Sequence, residues 1–187
     1  MKIYVIIIKI GGDKMYYGEK VLLRAYKAED SKLAAEYLND RELKKLLVTN
    51  IPFPTTAWEE DEWVKSQKAS NSGEYNFAIE DLETHTYIGG CGIQEINWVS
   101  RVATVGIMVG NKEFWGKGYG TDAMKVLVKF IFEEMNINKV KLETFSFNER
   151  AIKSYEKCGF KTEGILKEEI FKAGKYYDIV IMSTFNK

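Results

Sequence analysis

A stretch of ten residues, Glu113-Phe114-Trp115-Gly116-Lys117-Gly118-Tyr119-Gly120-Thr121-Asp122, most limits what this chain can fold into. Glycine stands at every second position from Gly116 to Gly120. The apolar run Val105-Gly106-Ile107-Met108-Val109 before it reads as a strand, and the amphipathic run after it reads as a helix. A strand feeding a helix through such a turn leaves several backbone N–H groups uncovered by side chains. With the positive end of the helix dipole behind them, these groups make a ready site for an anion. Two phosphate-binding patterns do not fit. The dinucleotide fingerprint needs G-x-G-x-x-G, whereas this loop runs G-x-G-x-G. The P-loop needs Ser or Thr after its Lys and one residue fewer between its glycines than separate Gly110 from Gly116; here Gly118 follows Lys117. Taken alone, the loop also reads as a turn with no ligand.

Bulk properties narrow the class. The chain has 187 residues, 45% of them hydrophobic, which suits one globular α/β domain spanning residues 1–187. Lys plus Arg and Asp plus Glu are balanced at 27 each, which argues against a nucleic-acid binder built on many phosphate contacts. The apolar run Val5–Ile8 falls far short of the ~20 residues of a membrane span. It also lacks the h-region and cleavage site of a signal peptide. Cys91 and Cys158 form no metal or redox pattern, so they are expected as reduced thiols of a cytoplasmic protein. Met15 and the residues after it look like an ordinary chain start, so residues 1–14 read as an extra edge strand or an N-terminal extension.

The remaining chain divides by period. Lys20–Tyr26 reads as a strand and Ala28–Leu38 as a helix. Asp40 is placed to cap a second helix through Val48. The loop 49–55 holds both prolines. Thr56-Ala57-Trp58-Glu59 is a capping box, predicting a helix to about Ser70 that Asn71-Ser72-Gly73 ends. Three strands follow, Tyr75–Glu80, Tyr87–Ile93 and Val102–Val109, with turns at Asp81–Thr86 and Asn97–Arg101. The glycines of the second strand predict a bulge or a close backbone approach. From Tyr119 to Met135 the apolar residues fall at helical spacing. Lys139–Phe145 alternates, with Glu143 opposite Val140 and Leu142. Asn148 is placed to cap a last helix that Gly159 ends, and two strands meet at the turn Ala173-Gly174-Lys175.

The glycine loop gains meaning from a second motif about thirty residues on, Asn148-x-x-Ala151-x-x-x-Tyr155-x-x-x-Gly159-Phe160. Together they resemble the Gcn5-related N-acetyltransferase (GNAT) family over roughly residues 17–186. Trp115 stands where that family carries Arg or Gln; backbone donors survive the change. The segments Ile96-Asn97-Trp98-x-x-Arg101 and Phe145–Ala151 resemble the branch of ribosomal-protein N-terminal acetyltransferases, which also holds polyamine and amino-sugar acetyltransferases. The resemblance implies a mixed, mostly antiparallel twisted sheet of about seven strands with helices on both faces. It implies acetyl-CoA as donor substrate and a primary amine as acceptor, either a protein N-terminus or a small amine. A binding module without catalysis is the alternative from another class, and a homodimer is left open.

The same resemblance distributes roles. Ile107, Met108 and Val109 would pair with the pantetheine amides, and the strand of Glu143 would splay from theirs to admit the cofactor. Lys117, Gly118, Tyr119, Gly120 and Thr121 would receive the pyrophosphate. Tyr155 would act as general acid at the CoA sulfur, unless it is only a core aromatic, and Asn148 would bind the pantetheine arm, cap its helix, or both. Glu143 is the candidate base or water relay, with a solvated strand acid as the competing reading. A base matters more for a lysine-like or polyamine amine of pKa ~10.4 than for an α-amine near ~7.7–8.0. Phe53, Glu95, Trp98 and Tyr176 are expected around the acceptor, with Glu95 also a second candidate base and ordinary packing the competing reading for Phe53 and Tyr176. The acidic run Glu59-Glu60-Asp61-Glu62 would attract a cation or simply favour a first helical turn. His85 lacks partners for zinc or for a triad, and no metal is expected.

Overall fold

The computed structural model describes residues 15–47, 49–67 and 75–186. The expected elements at residues 1–14 and at Asn71–Gly73 lie outside them. Elements follow in the order β1 (Val21–Arg24), α1 (Asp30–Asn39), α2 (Arg41–Leu47), α3 (Ala57–Ser66), β2 (Tyr75–Asp81), β3 (Tyr87–Asn97) and β4 (Val102–Val109). A short 3-10 turn at Lys112–Phe114 leads to α4 (Tyr119–Glu134), β5 (Lys139–Phe145), α5 (Glu149–Glu156), β6 (Lys161–Lys172) and β7 (Lys175–Phe185).

The seven strands form one sheet in the order β1-β2-β3-β4-β5-β7-β6. Only β4 and β5 run parallel; the other neighbours are antiparallel. Adjacent residues on a strand point to opposite faces. Ala78 and Tyr87 pack with Ala34 of α1, whereas the next residues, Ile79 and Ile88, belong to the main core with Met124, Leu127 and Ile131 of α4. Helices therefore cover both faces, as the resemblance implies. The apolar stripe of α4 explains its seat: Ala123, Met124, Leu127 and Ile131 are fully enclosed while Lys125 and Lys129 face solvent. Each such large side chain contributes about 1.5–3 kcal/mol by burial.

The expected glycine irregularity in β3 is present. The β2–β3 register shifts between Ile79 and Glu80, which pair with Gly89 and Tyr87. Helix α3 keeps its capping box, with Glu59 N donating to the Thr56 hydroxyl and Thr56 N to the Glu59 carboxylate. It stops at Ser66 rather than near Ser70. The Ser66 hydroxyl and the Gln67 amide both donate to the Trp63 carbonyl, and Gln67 turns extended. Local side-chain donors satisfy the last turn and end the helix early.

Helix α5 shows what the second motif encodes physically. Asn148 caps its start, its side-chain oxygen accepting from Ala151 N at 3.3 Å. At its end Gly159 has φ 86°, Gly159 N donates to Glu156 O at 3.0 Å and Phe160 N to Tyr155 O at 3.1 Å. That pair of bonds is a Schellman stop, and the Tyr155 and Phe160 rings pack 6.0 Å apart across it. The motif thus specifies one short helix closed at both ends, with Tyr155 fixed in its last turn.

Candidate active site

The site begins where two parallel strands part. β4 pairs with β5 only through Val102–Thr104 against Lys139–Lys141. Beyond these residues Val105–Val109 pairs only with β3, and Leu142–Phe145 only with β7. Two strand edges therefore face each other without a shared ladder. Backbone N–H and C=O groups left this way need partners, and an extended ligand carrying amides can take the place of the missing strand. A cavity of about 1350 Å³ occupies the gap. Ile107, Met108, Val109, Gly118, Gly120, Thr121, Glu143, Asn148 and Tyr155 all line it, so most of the residues singled out from the sequence converge here.

The glycine loop closes one end of this cavity. Gly116 and Gly118 have φ of 73° and 91°, a left-handed backbone that side-chain-bearing residues rarely adopt. A side chain added at Gly116 would meet nothing within 4 Å, and at Gly118 only Lys20 Cε at 3.9 Å. The space above the loop is open, and Gly118 is the N-cap of α4. Lys117 is exposed and outside the cavity wall. The Tyr119 side chain does not line the cavity; it packs edge-on against Phe114 at 4.7 Å and hydrogen-bonds Asp81. Two cations reach this end from other elements. Lys20 Nζ lies 5.3 Å from the Tyr119 ring centroid, and the Arg150 guanidinium stacks 3.8 Å over the Trp115 ring. Trp115 in turn donates its indole N–H to the Val109 carbonyl at 2.6 Å. Arg150 brings a positive charge to the position where the family motif has Arg or Gln, and sequence spacing gave no signal of it.

The start of α4 is tied down on both sides. The Asp122 carboxylate accepts from Glu19 N, Lys20 N and Val21 N at 3.1, 2.8 and 3.1 Å, fixing the chain entering β1. The Thr121 and Ser154 hydroxyls share a hydrogen bond of 2.8 Å, and the Cys158 thiol donates to Thr121 O at 3.4 Å. These contacts dock α5 onto the first turn of α4 and hold Tyr155 at a set distance from the loop. Burial pushes the Tyr155 phenol up to about 12, so it keeps its proton across the physiological range. Burial likewise raises both thiols, Cys158 to about 11, and both cysteines are free.

The opposite side, on the α1 face of the sheet, is built from side chains that no motif announces. Tyr26, Glu60, Trp63, Asn76, Tyr87 and Gln94 line it. They come from the β1–α1 connection, α3, β2 and β3. The Tyr26 ring meets Trp63 edge-on at 5.1 Å and lies 6.1 Å from Tyr87. Glu60 is 8% exposed, and burial raises its carboxyl above the usual glutamate range. Of the acidic run, only Glu60 faces the cavity; Asp61 bonds Lys65 and Ser31, and Glu59 serves the capping box.

The structure does not bring the four expected acceptor residues to the cavity. Phe53 and Tyr176 are 80% and 63% exposed, and Trp98 lies in its turn at 55%. Glu95 is exposed and does not line the cavity, whereas its neighbour Gln94, two residues on from the lining Gly92, does.

An open sheet split between parallel strands, with a glycine-rich helix start on one side and a half-buried tyrosine on the other, has the architecture of a transferase of the acyl-CoA type. A family model described as an acetyltransferase (GNAT) domain matches residues 20–161. The chain belongs to the GNAT acetyltransferase family. It is 32% identical over 162 residues to the SPbeta prophage-derived uncharacterized N-acetyltransferase YokL of Bacillus subtilis, covering 86% of this chain and 87% of that one. It is 28% identical over 160 residues to the spermidine N(1)-acetyltransferase of Vibrio cholerae, 86% of this chain and 90% of that protein. A crystal structure of spermidine N-acetyltransferase from Vibrio cholerae in complex with CoA and spermine matches with a TM-score of 0.77, at 28% identity, over 88% of this chain and 95% of that chain. A ribosomal-protein-serine acetyltransferase-like structure from the same species matches with a TM-score of 0.73 at 18% identity, covering 91% and 97%, a likeness of fold alone.

Proposed function

We propose that this chain transfers an acetyl group from acetyl-CoA to a primary amine of the polyamine class by direct attack. The observation that carries the reading is the gap between β4 and β5, where the glycine loop, Tyr155 and the buried Glu60 line one continuous cavity. The pantetheine amides pair with the free edge at Ile107–Val109, and the pyrophosphate rests on the backbone amides of Lys117–Thr121. A phosphate at such a helix start gains roughly 0.3–1 kcal/mol per charge, and up to ~2 where partly buried. Lys20 and Arg150 add charge to this end. Asn148 uses its oxygen to cap α5 and keeps its amide N–H groups for the donor.

In the transfer, the nitrogen lone pair of the neutral amine forms the C–N bond and the C–S bond of the thioester breaks. One amine proton ends on the CoA sulfur. A thiol of pKa near ~8.5 is more acidic than the Tyr155 phenol, so complete transfer from Tyr155 alone would be uphill. Tyr155 instead donates a hydrogen bond to the developing thiolate and passes a proton as the amine releases one. Glu143, exposed on the cavity wall, relays the proton that a protonated amine must lose before it attacks.

Near-full-length similarity to spermidine acetyltransferases supports the acceptor class. A thiol-release assay with spermidine, aminoglycosides and peptides bearing free N-termini tests it. Turnover on polyamines is expected. Turnover on peptides alone would move the acceptor to protein N-termini. CoA binding without turnover on any amine would make the chain a binding module.

A further inference from the structure

Four carboxylates are buried among the described residues: Asp30, Glu60, Glu80 and Asp81. Three are satisfied. Asp30 accepts a forked pair from Arg24 at 2.7 and 2.9 Å and Lys27 N at 2.8 Å. Glu80 takes Arg24 and Lys27, and Asp81 takes Thr84 N and its hydroxyl at 2.9 and 2.6 Å. No side-chain hydrogen bond or ion pair reaches the Glu60 carboxylate among the described residues. No fully enclosed side-chain oxygen or nitrogen lacks a partner there, so the unpartnered oxygens of Glu60 keep contact with the cavity it lines. A buried carboxylate without a partner is unfavourable by itself and is stabilised by a cation brought from outside.

The surroundings narrow that cation. Tyr26, Trp63 and Tyr87 line the cavity with Glu60 and pack against one another, and their aromatic rings suit methylene groups and hold an ammonium by its charge. Gly90 and Gly92 line the cavity without side chains, and the Tyr26 hydroxyl lies against Gly90, where an added Cβ would come within 2.1 Å. No Lys or Arg lines this end; Arg150, Lys153 and Lys157 belong to α5 and the turn after it, beside the glycine loop. An ammonium held on a carboxylate keeps its proton and cannot be the attacking amine. We infer that Glu60 binds the second, non-reacting ammonium of a diamine or polyamine acceptor and so selects acceptors with two cationic centres joined by a methylene chain. This inference rests on the acetyl-transfer reading.

Steady-state kinetics with spermidine, putrescine and butylamine on the wild type, Glu60→Gln and Glu60→Asp test it, with CoA binding and thermal stability measured in parallel. Loss of a charge-assisted contact predicts that Glu60→Gln raises KM for spermidine and putrescine about tenfold or more. KM for butylamine and CoA affinity stay unchanged, and Glu60→Asp recovers part of the loss. Unchanged KM for the diamines, or an equal rise for butylamine, would overturn the role. An equal fall in kcat on every amine would overturn it too, by making Glu60 a base. If the wild type turns over no amine, the acetyl-transfer reading fails separately. Spermidine-induced stabilisation then decides for the carboxylate: present in wild type and absent in Glu60→Gln supports it, and equal in both overturns it.

Discussion

The two ends of the cavity hold opposite charges by opposite means. The loop end presents backbone N–H groups at the start of α4, reinforced by Lys20 and Arg150, and so suits an anionic donor. The far end presents one unpaired carboxylate among aromatic rings, and so suits a cationic acceptor. A backbone-built site tolerates change in side chains: Trp115 stands at a motif position without removing a donor. A side-chain-built site has no such tolerance, because its charge rests on a single residue. Tyr155, held in the last turn of α5, belongs to neither end, and the proposed transfer asks it to serve both.

The largest expected effect is therefore at Tyr155. Replacing it with Phe should lower kcat about a hundredfold, within the usual range for losing a positioned proton donor, and leave acetyl-CoA affinity nearly unchanged. Single-turnover rates with CoA titration check this; an unaltered kcat would leave Tyr155 a packing residue. The next effect should fall on the donor end alone. Gly118→Val places a branched side chain at φ 91° and over the phosphate position, at about 1–2 kcal/mol of backbone strain. CoA affinity should drop about tenfold or more while the acceptor KM holds, as read by calorimetry and thermal melting. Normal affinity would mean the loop is only a turn.

A smaller effect separates two buried acids by pH. Burial works against charge on Glu80, but hydrogen bonds from Arg24 and Lys27 overcome it and hold the carboxyl below the usual range. Its stabilising contribution is present above the unfolded value near ~4.3 and fades as pH falls through the lowered folded value. Glu60 is raised by burial alone, so the sign reverses. Its contribution is complete below ~4.3 and is lost as pH rises through the raised value. Glu60→Gln should therefore melt higher than wild type near neutral pH, with the gap closing toward about pH 4. A gap that widens in acid would contradict the unpaired state of Glu60. The smallest effect concerns the exposed aromatics. Serine at Phe53, Trp98 or Tyr176 should leave the acceptor KM within about twofold, since none touches the cavity and surface changes act weakly. A larger rise would extend the acceptor end outward to these loops.

The donor end was legible because its parts are local in sequence. Gly116, Gly118 and Gly120 carry their own backbone requirement, and Asn148, Tyr155, Gly159 and Phe160 carry the two caps of α5. Short-range rules read both. The acceptor end was not legible. Glu60 sits in an acidic run whose simpler reading was a favourable first turn, and Glu59 beside it does take that role in the capping box. Gln94, which lines the wall, lies one residue past the end of the strand expected from the sequence, so its side chain was given no direction there.

Sequence alone determined the strand and helix order, the glycine turn at the start of α4 and the placement of Tyr155 in a capped helix. These follow from backbone conformation and periodicity, which act over a few residues. Tertiary structure alone decided that β4 and β5 part after Thr104, that Arg150 lies over Trp115, and that one carboxylate of the acidic run remains unpaired in the cavity. Those outcomes depend on which distant groups meet, and a charge acquires its function from the partners that folding gives it or withholds.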